Sequence, residues 1–176
     1  MNYLLDINAV IALLKSQPAG MRRRLRRVMS RGASIGIPSV VLYELWYGLA
    51  RSGHRRENAE RLRVFLSGNI SVVPFHEEDA VAAGDLRAVL ETTGTPIGPY
   101  DLLIAAQALR TRATLVTANV SDFARVPGLV WQDWTSKVGR GAGRNTRPDR
   151  RPRTKHAAIA WPVKQQAMLP AGAARG

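Results

Sequence analysis

The chain has no cysteine, which excludes disulfides, thiolate zinc sites and a cysteine nucleophile, and agrees with a reducing compartment. Its histidines, His54, His76 and His156, are dispersed, with no partner at metal-ligand spacing, and read as ordinary surface residues. Neither GxGxxG nor GxxxxGKS/T occurs, so the loops that cradle nucleotide phosphates are missing. No apolar run is long enough to span a bilayer. The opening MNYLLDINAVIALLK lacks a basic leader and carries Asp6 inside its apolar stretch, unlike a signal peptide. A soluble, cytoplasmic protein without a membrane partner is the expectation. Acids are scarce too: 13 Asp and Glu stand against 26 Lys and Arg, a net charge of +13.

What remains is enough for one domain. A length of 176 residues with 45% hydrophobic content supports a single core of ordinary size. The charge is uneven. From Lys137 onward the chain holds 10 Lys and Arg and one acid, Asp149, a net of +9, which leaves +4 for residues 1–136. The folded part is thus mildly basic, with one dense run, RRRLRR, from Arg22 to Arg27. Such a run is either a solvated helix face or a surface for a phosphate polymer, and charge alone leaves both open.

Short apolar runs alternate with helical stretches. YLLD, ASIGI, SVVPF, ATLVT and LVWQD read as strands, and residues 9–15, 19–31, 39–51, 55–66, 77–91 and 100–110 read as helices. Ser39 follows Pro38 and suits a helix cap, and Pro99 sits where a first-turn proline is tolerated. This alternation predicts an α/β domain over 1–135 with a mostly parallel sheet covered by helices on both faces. Residues 136–176, dense in Gly, Arg, Pro and Ala, are expected to be a disordered basic tail.

Against this background four carboxylates stand out, at Asp6, Glu44, Asp101 and Asp122. Each lies in an apolar or element-capping stretch: YLLD, VVLYELWYGL, DLLIAAQAL and the segment after LVTANVS. Burying an unpaired charge is costly, and few cationic partners lie nearby in sequence, so a shared divalent cation is the most economical partner. Asp6 ends the first strand, where ligands of parallel sheets bind, although Asp6 or Asn8 would also cap the next helix. Glu44 interrupts a helix that is apolar nearly all round and is therefore expected to be buried, with Gly48 one turn on leaving room for a ligand; pairing with Arg51 is the alternative. Asp101 lies in a helix's first turn, where the dipole alone explains an acid. Asp122 follows the fourth strand, with Asn119 as a rival ligand and Thr117 able to bond a carboxylate or a bound water. The set is stronger than its members. Hard oxygen donors suit Mg2+ or Mn2+, and one or two such ions activate water for phosphodiester hydrolysis. Tyr43, Trp46 and Tyr47 read as packing or partner contacts on the third helix, not as base-stacking platforms.

In order and spacing, LLDINAVIALL, IPSVVLYELWYGL, IGPYDLLIAAQAL and LVTANVSDFARVPGLVWQDW resemble the PIN domain of VapC-type toxins from type II toxin–antitoxin modules. The resemblance runs from about residue 1 to 135 and leaves out the basic tail. It implies a three-layer α/β/α ribonuclease fold, Mg2+-dependent cleavage of RNA, a cognate antitoxin and a homodimer. Carried over, it makes Asp6 and Asp101 the principal metal ligands, Glu44 the helix glutamate and Asp122 the acid of the last motif. Two residues depart from the pattern: Ile7 stands where Thr or Ser commonly follows the first aspartate, and Ala118 where a polar residue often follows the threonine. A PIN-like module that binds RNA but cleaves it weakly is the competing reading. The early helices, with Val10, Ile11, Leu14, Met21, Leu25, Val28 and Met29, offer an apolar groove for the antitoxin.

Overall fold

The computed structural model describes residues 2–136 and 142–144, with Ala142 and Arg144 described by backbone alone. Five parallel strands form the centre: β1 (Tyr3–Leu5), β2 (Ile35–Pro38), β3 (Ser71–Val73), β4 (Thr114–Val116) and β5 (Val130–Gln132). The helices are α1 (Ile7–Lys15), α2 (Gly20–Ser30), α3 (Ser39–Ala50), α4 (Arg55–Leu66), α5 (Glu77–Thr92), α6 (Pro99–Arg110) and the short α7 (Val120–Phe123). All five expected strands and six expected helices are present. The four-residue α7 lies where a loop was expected.

The strands are brief but continuous in apolar character, as parallel strands buried on both faces require. Leu4, Leu5, Ile35, Ile37, Leu115 and Val116 are all within 2% of full burial. The sheet order is β3-β2-β1-β4-β5, with a sixth short strand, β6 (Ala142–Arg144), beyond β5. The chain leaves β1 in one direction, to β2 and β3, then returns across the sheet to β4 on the other side of β1. Right-handed crossovers place the helices before and after that return on opposite faces, giving three layers. The reversal lies between β1 and β4, and the crevice beyond the carboxyl ends of such a strand pair is where open parallel sheets bind ligands.

Local chemistry fixes the helix starts. Asp6 caps α1 and Pro99 opens α6. α5 begins with Glu77, Glu78 and Asp79, which favour the positive end of the helix dipole. Asp79 does more: fully buried, it accepts from the Arg110 guanidinium at 2.5 Å, from the His76 backbone N–H at 2.8 Å and from Gln107 at 3.3 Å. It thereby ties α5 to α6. Ser39 is not a cap; it is the first residue of α3, and Pro38 takes the N-cap position without a side-chain bond.

Two expectations need correction. The third helix is not buried all round: Val41 and Leu45 enter the core, while Tyr43 and Tyr47 remain about half exposed. Aromatic rings with polar tips had counted as apolar there, yet they sit comfortably in water. Gly48 also faces open space, so no close approach demands a glycine. Secondly, the segment expected to be a disordered tail contributes a sixth strand, β6 (Ala142–Arg144), antiparallel to β5. Gly143 pairs with Trp131, and a Cβ there would lie 2.4 Å from the indole, so the ring covers the bare glycine. The rest of 137–176 lies outside the described residues. Among the described residues, no helix is long and apolar enough to cross a membrane.

Candidate active site

Asp6 extends from the end of β1 into the crevice and is 2% exposed. One oxygen caps α1, accepting from the Ala9 backbone N–H at 2.7 Å. The other accepts from the Thr117 hydroxyl at 2.5 Å. Thr117, also buried, follows β4, and the β1–β4 register pairs Leu5 with Val116, so the next residue of each strand meets at the crevice. The Thr117 oxygen in turn accepts from the Asn119 backbone N–H at 2.9 Å. Thr117 thus supplies a hydroxyl to the first aspartate, next to which Ile7 cannot. The helix-capping expectation for Asp6 holds: one oxygen caps α1 while the other is held by the Thr117 hydroxyl.

Asn119 links two further acids. Its side-chain amide donates to Asp122 at 3.0 Å and, more distantly, to Asp101 at 3.4 Å. Ser121 donates to the Asn119 side-chain oxygen at 3.2 Å, fixing the amide's orientation. The residue after Thr117, Ala118, is exposed, and the polar function falls to Asn119 instead. Asp101 stands in the first turn of α6, pressed by the backbone before it: a Cβ at Gly98 would lie 3.1 Å from its Oδ2. Asp122, on α7, also pairs with Arg125 at 3.6 Å, a partly exposed contact of little energetic weight.

The electrostatics centre on Asp101. Burial pushes the Asp6 carboxyl up from 3.8 to about 6, against the pull of Thr117 and the α1 backbone, and the Asp101 charge adds to the rise. Glu44 is raised by its own burial and then by Asp101. Asp101 is raised by burial and then by Asp122. Three carboxylates are therefore held above their ordinary values by desolvation and mutual repulsion, with a cation, Arg125, only at the outer acid. A hard divalent cation would reverse that imbalance. Among the described residues, no group of three or more His, Asp or Glu side chains is set close enough to hold a metal ion. One or two of these carboxylates would be the protein's oxygen donors to a divalent cation, a donor type that hard ions take.

Sequence reasoning singled out all four acids, and the structure links them through Asp101. It missed the bridging role of Asn119, the Arg125 partner of Asp122 and the constraint from Gly98. It also passed over Asp79, whose pKa, despite complete burial, is lowered by Arg110 and backbone bonds. Away from the acids, an open groove of about 710 Å3 runs between α1 and α4, with Leu14, Val64 and Phe65 among its apolar lining and Arg22, Arg56 and Glu60 among the charged residues around it. Val10, Met21 and Leu25 belong to the core instead, so the groove is shallower in α2 than expected and owes more to α4.

Comparison with known proteins agrees with this fold. The PIN domain family model matches residues 3–129. The chain is 36% identical to Ribonuclease VapC2 of Rickettsia felis over 134 residues, 76% of this chain and 98% of that protein. It is 34% identical to the tRNA(fMet)-specific endonuclease VapC of Salmonella typhimurium over 134 residues, again 76% of this chain and 98% of the relative. Among solved structures, VapBC2 from Rickettsia felis bound to a DNA fragment from its promoter superposes with a TM-score of 0.70 at 34% identity, covering 75% of this chain and 98% of that one. The DNA-bound VapBC of Salmonella typhimurium gives the same TM-score, 0.70, over 76% of this chain and 98% of that chain. With the acids gathered at the β1–β4 crevice and relatives of this closeness along almost their full length, the chain belongs to the PIN-domain family, among the VapC ribonuclease toxins.

Proposed function

We propose that the protein is a Mg2+-dependent endoribonuclease, the toxin of a toxin–antitoxin module, with Mn2+ able to replace Mg2+. The observation that carries this reading is the cluster of Asp6, Glu44 and Asp101, raised together by burial and repulsion at the sheet's switch point. Asp6 and Asp101 would hold the ion, Glu44 would reach it directly or through water, and Asp122 would complete its shell or position the attacking water. When bound, the ion supplies a water acidic enough to attack the phosphodiester and a positive charge to offset the developing oxyanion. Thr117 keeps Asp6 in one orientation, and Asn119 spaces Asp101 from Asp122, so both orient carboxylates without touching substrate.

The partner reading rests on the solved VapBC complexes. A cognate antitoxin segment would occupy the groove between α1 and α4, whose apolar lining and mixed charges suit an amphipathic chain. A homodimer is proposed on the family resemblance. The naming of the Salmonella relative makes initiator tRNA the first RNA to assay. The deciding experiment incubates the full chain, free of partner, with RNA in Mg2+ and in EDTA, beside Asp101→Asn. Cleavage with Mg2+, and none with EDTA or in the variant, supports the assignment; cleavage by the variant equal to wild type removes Asp101 from the mechanism.

A further inference from the structure

Among the described residues, Asp6, Glu44, Asp101 and Asp122 share a single cationic partner, Arg125, and most of its guanidinium is unused. Nη1 makes both contacts of the side chain. It donates to the Pro96 carbonyl at 3.2 Å and lies 3.6 Å from Oδ1 of Asp122. Among the described residues, Nε and Nη2 have no partner, and the side chain is 46% exposed. Its base is firmly held. Phe123, two residues before it, and Val126, the residue after it, are completely buried, and the Arg125 backbone N–H donates to the Asp122 carbonyl at 3.0 Å. Pro96 stands two residues before Gly98, the N-cap residue of α6, whose first turn carries Asp101. The bond to Pro96 spans 29 residues of chain, so the guanidinium is fixed where the approach to α6 meets α7.

We propose that Arg125 is a substrate-binding residue whose free Nε–Nη2 edge takes two oxygens of one RNA backbone phosphate and holds the strand at the acid cluster. The proposal rests on the nuclease reading and adds to it a residue outside the acids. A phosphodiester is an anion, and carboxylates that lack a cation repel it. A guanidinium edge answers that repulsion with two parallel N–H donors in the geometry of two phosphate oxygens. Little of the arginine's charge is spent within the protein, because 3.6 Å to a part-exposed Asp122 is too long for a hydrogen bond. A clamp between Pro96 and α7 needs one donor, and Nη1 fills that role; the other edge is surplus to it. A phosphate gripped on a rigid base beside the acids is held in one place for attack, which is itself a source of rate.

The test measures binding of a labelled single-stranded oligoribonucleotide by the full chain in EDTA, over a range of salt. Losing one phosphate contact on a single strand flattens the dependence of log affinity on log salt by about 0.7. Arg125→Gln is expected to show that flattening and to bind about tenfold more weakly. Arg125→Lys, which keeps the charge and lacks the fork, should keep the slope and still lose affinity. Thermal melts establish whether each variant folds. A lower melting temperature of Arg125→Gln with the wild-type salt slope marks a structural clamp and overturns the proposal. Binding by Arg125→Lys equal to wild type overturns it as well, and decides the matter should Arg125→Gln not fold. In Mg2+, Arg125→Gln should raise KM about tenfold with a smaller fall in kcat, the mark of lost substrate binding. A fall in kcat alone overturns the assignment. The two readings fail separately: a flattened slope without Mg2+-dependent cleavage by wild type sinks the nuclease and leaves the phosphate contact, and cleavage with an unaltered slope sinks only the contact.

Discussion

The hydroxyl of Thr117 donates to the carboxylate of Asp6 at 2.5 Å across 111 residues of chain. Together with the Asp6 N–H, which donates to the Val116 carbonyl at 3.0 Å, it ties the two central strands to the acid. Thr117→Val would leave one buried Asp6 oxygen and the Asn119 N–H without this partner, a cost of about 1–3 kcal/mol. It would also raise the Asp6 carboxyl further, since the hydroxyl is what lowers it most. Denaturant titration should show the loss of stability, and the pH profile of cleavage should move upward. Thr117→Ser should restore both.

The raised Asp6 carboxyl makes the metal-free protein sensitive to pH in a definite direction. The unfolded chain releases this proton near 3.8 and the native state near 6, so the native state binds more protons between those values. The resulting stabilisation, about 3 kcal/mol from a shift of this size, is full below the lower value and is lost as pH rises through the upper one. Glu44 and Asp101 add to the effect with the same sign. In EDTA, thermal melts should therefore fall between pH 4 and 6.5, and Asp6→Asn should flatten that fall. Mg2+ at pH 7 should raise the melting temperature of wild type and leave Asp6→Asn unmoved.

Asp101 is the charge felt by both Asp6 and Glu44, so neutralising it should do more damage to cleavage than neutralising the outer Asp122. Asp101→Asn should lower kcat/KM by about a hundredfold or more while the fold persists. Gly98→Ala is the subtler probe. Its Cβ would meet the Asp101 carboxylate at 3.1 Å, so a loss of about tenfold in rate is expected with little change in stability. Equal melting with reduced turnover would separate placement from folding.

Arg110 and Asp79 form an ion pair in which one side is wholly buried and the other 33% exposed. Arg110→Met would leave Asp79 charged and without its main partner, at a cost of about 3 kcal/mol, the low end for orphaning a buried ion because water reaches the arginine. Urea unfolding should show the loss, and the Mg2+ dependence of cleavage should not change, since the pair lies outside the acid cluster.

Much of this was legible because apolar strand runs and helix punctuation agree along the chain. YLLD and ATLVT each end in a residue that the parallel register of β1 and β4 brings to the crevice, so reading strand ends located Asp6 and Thr117, while Glu44 and Asp101 were read from their helices. What sequence concealed follows physical rules as well. Asp79 hides in an EED run that any helix N-terminus would welcome, and its true partner lies 31 residues away. α7 is a single four-residue turn, below the length at which helical periodicity can speak, and β6, sequence AGR, lacks the apolar run that marked the other three-residue strands. The burial of α3 was misjudged because Tyr and Trp score as apolar while their tips and faces remain content in water. Asn119 was visible as a polar residue near Asp122, but its reach to Asp101 depends on how α6 and the loop after β4 meet.

The pairing of β1 with β4 also sets an order of events during synthesis. Asp6 and Glu44 leave the ribosome early, yet Asp101 and Thr117 follow only after more than half of the chain has been made. The sheet's central pair cannot close before residue 116 is available, because that contact is among the least local in the domain. A nascent or truncated chain ending just short of this point lacks Asp122 and has no hydroxyl to orient Asp6. On the proposed reading, such a site would be complete only in the finished domain, after its own synthesis.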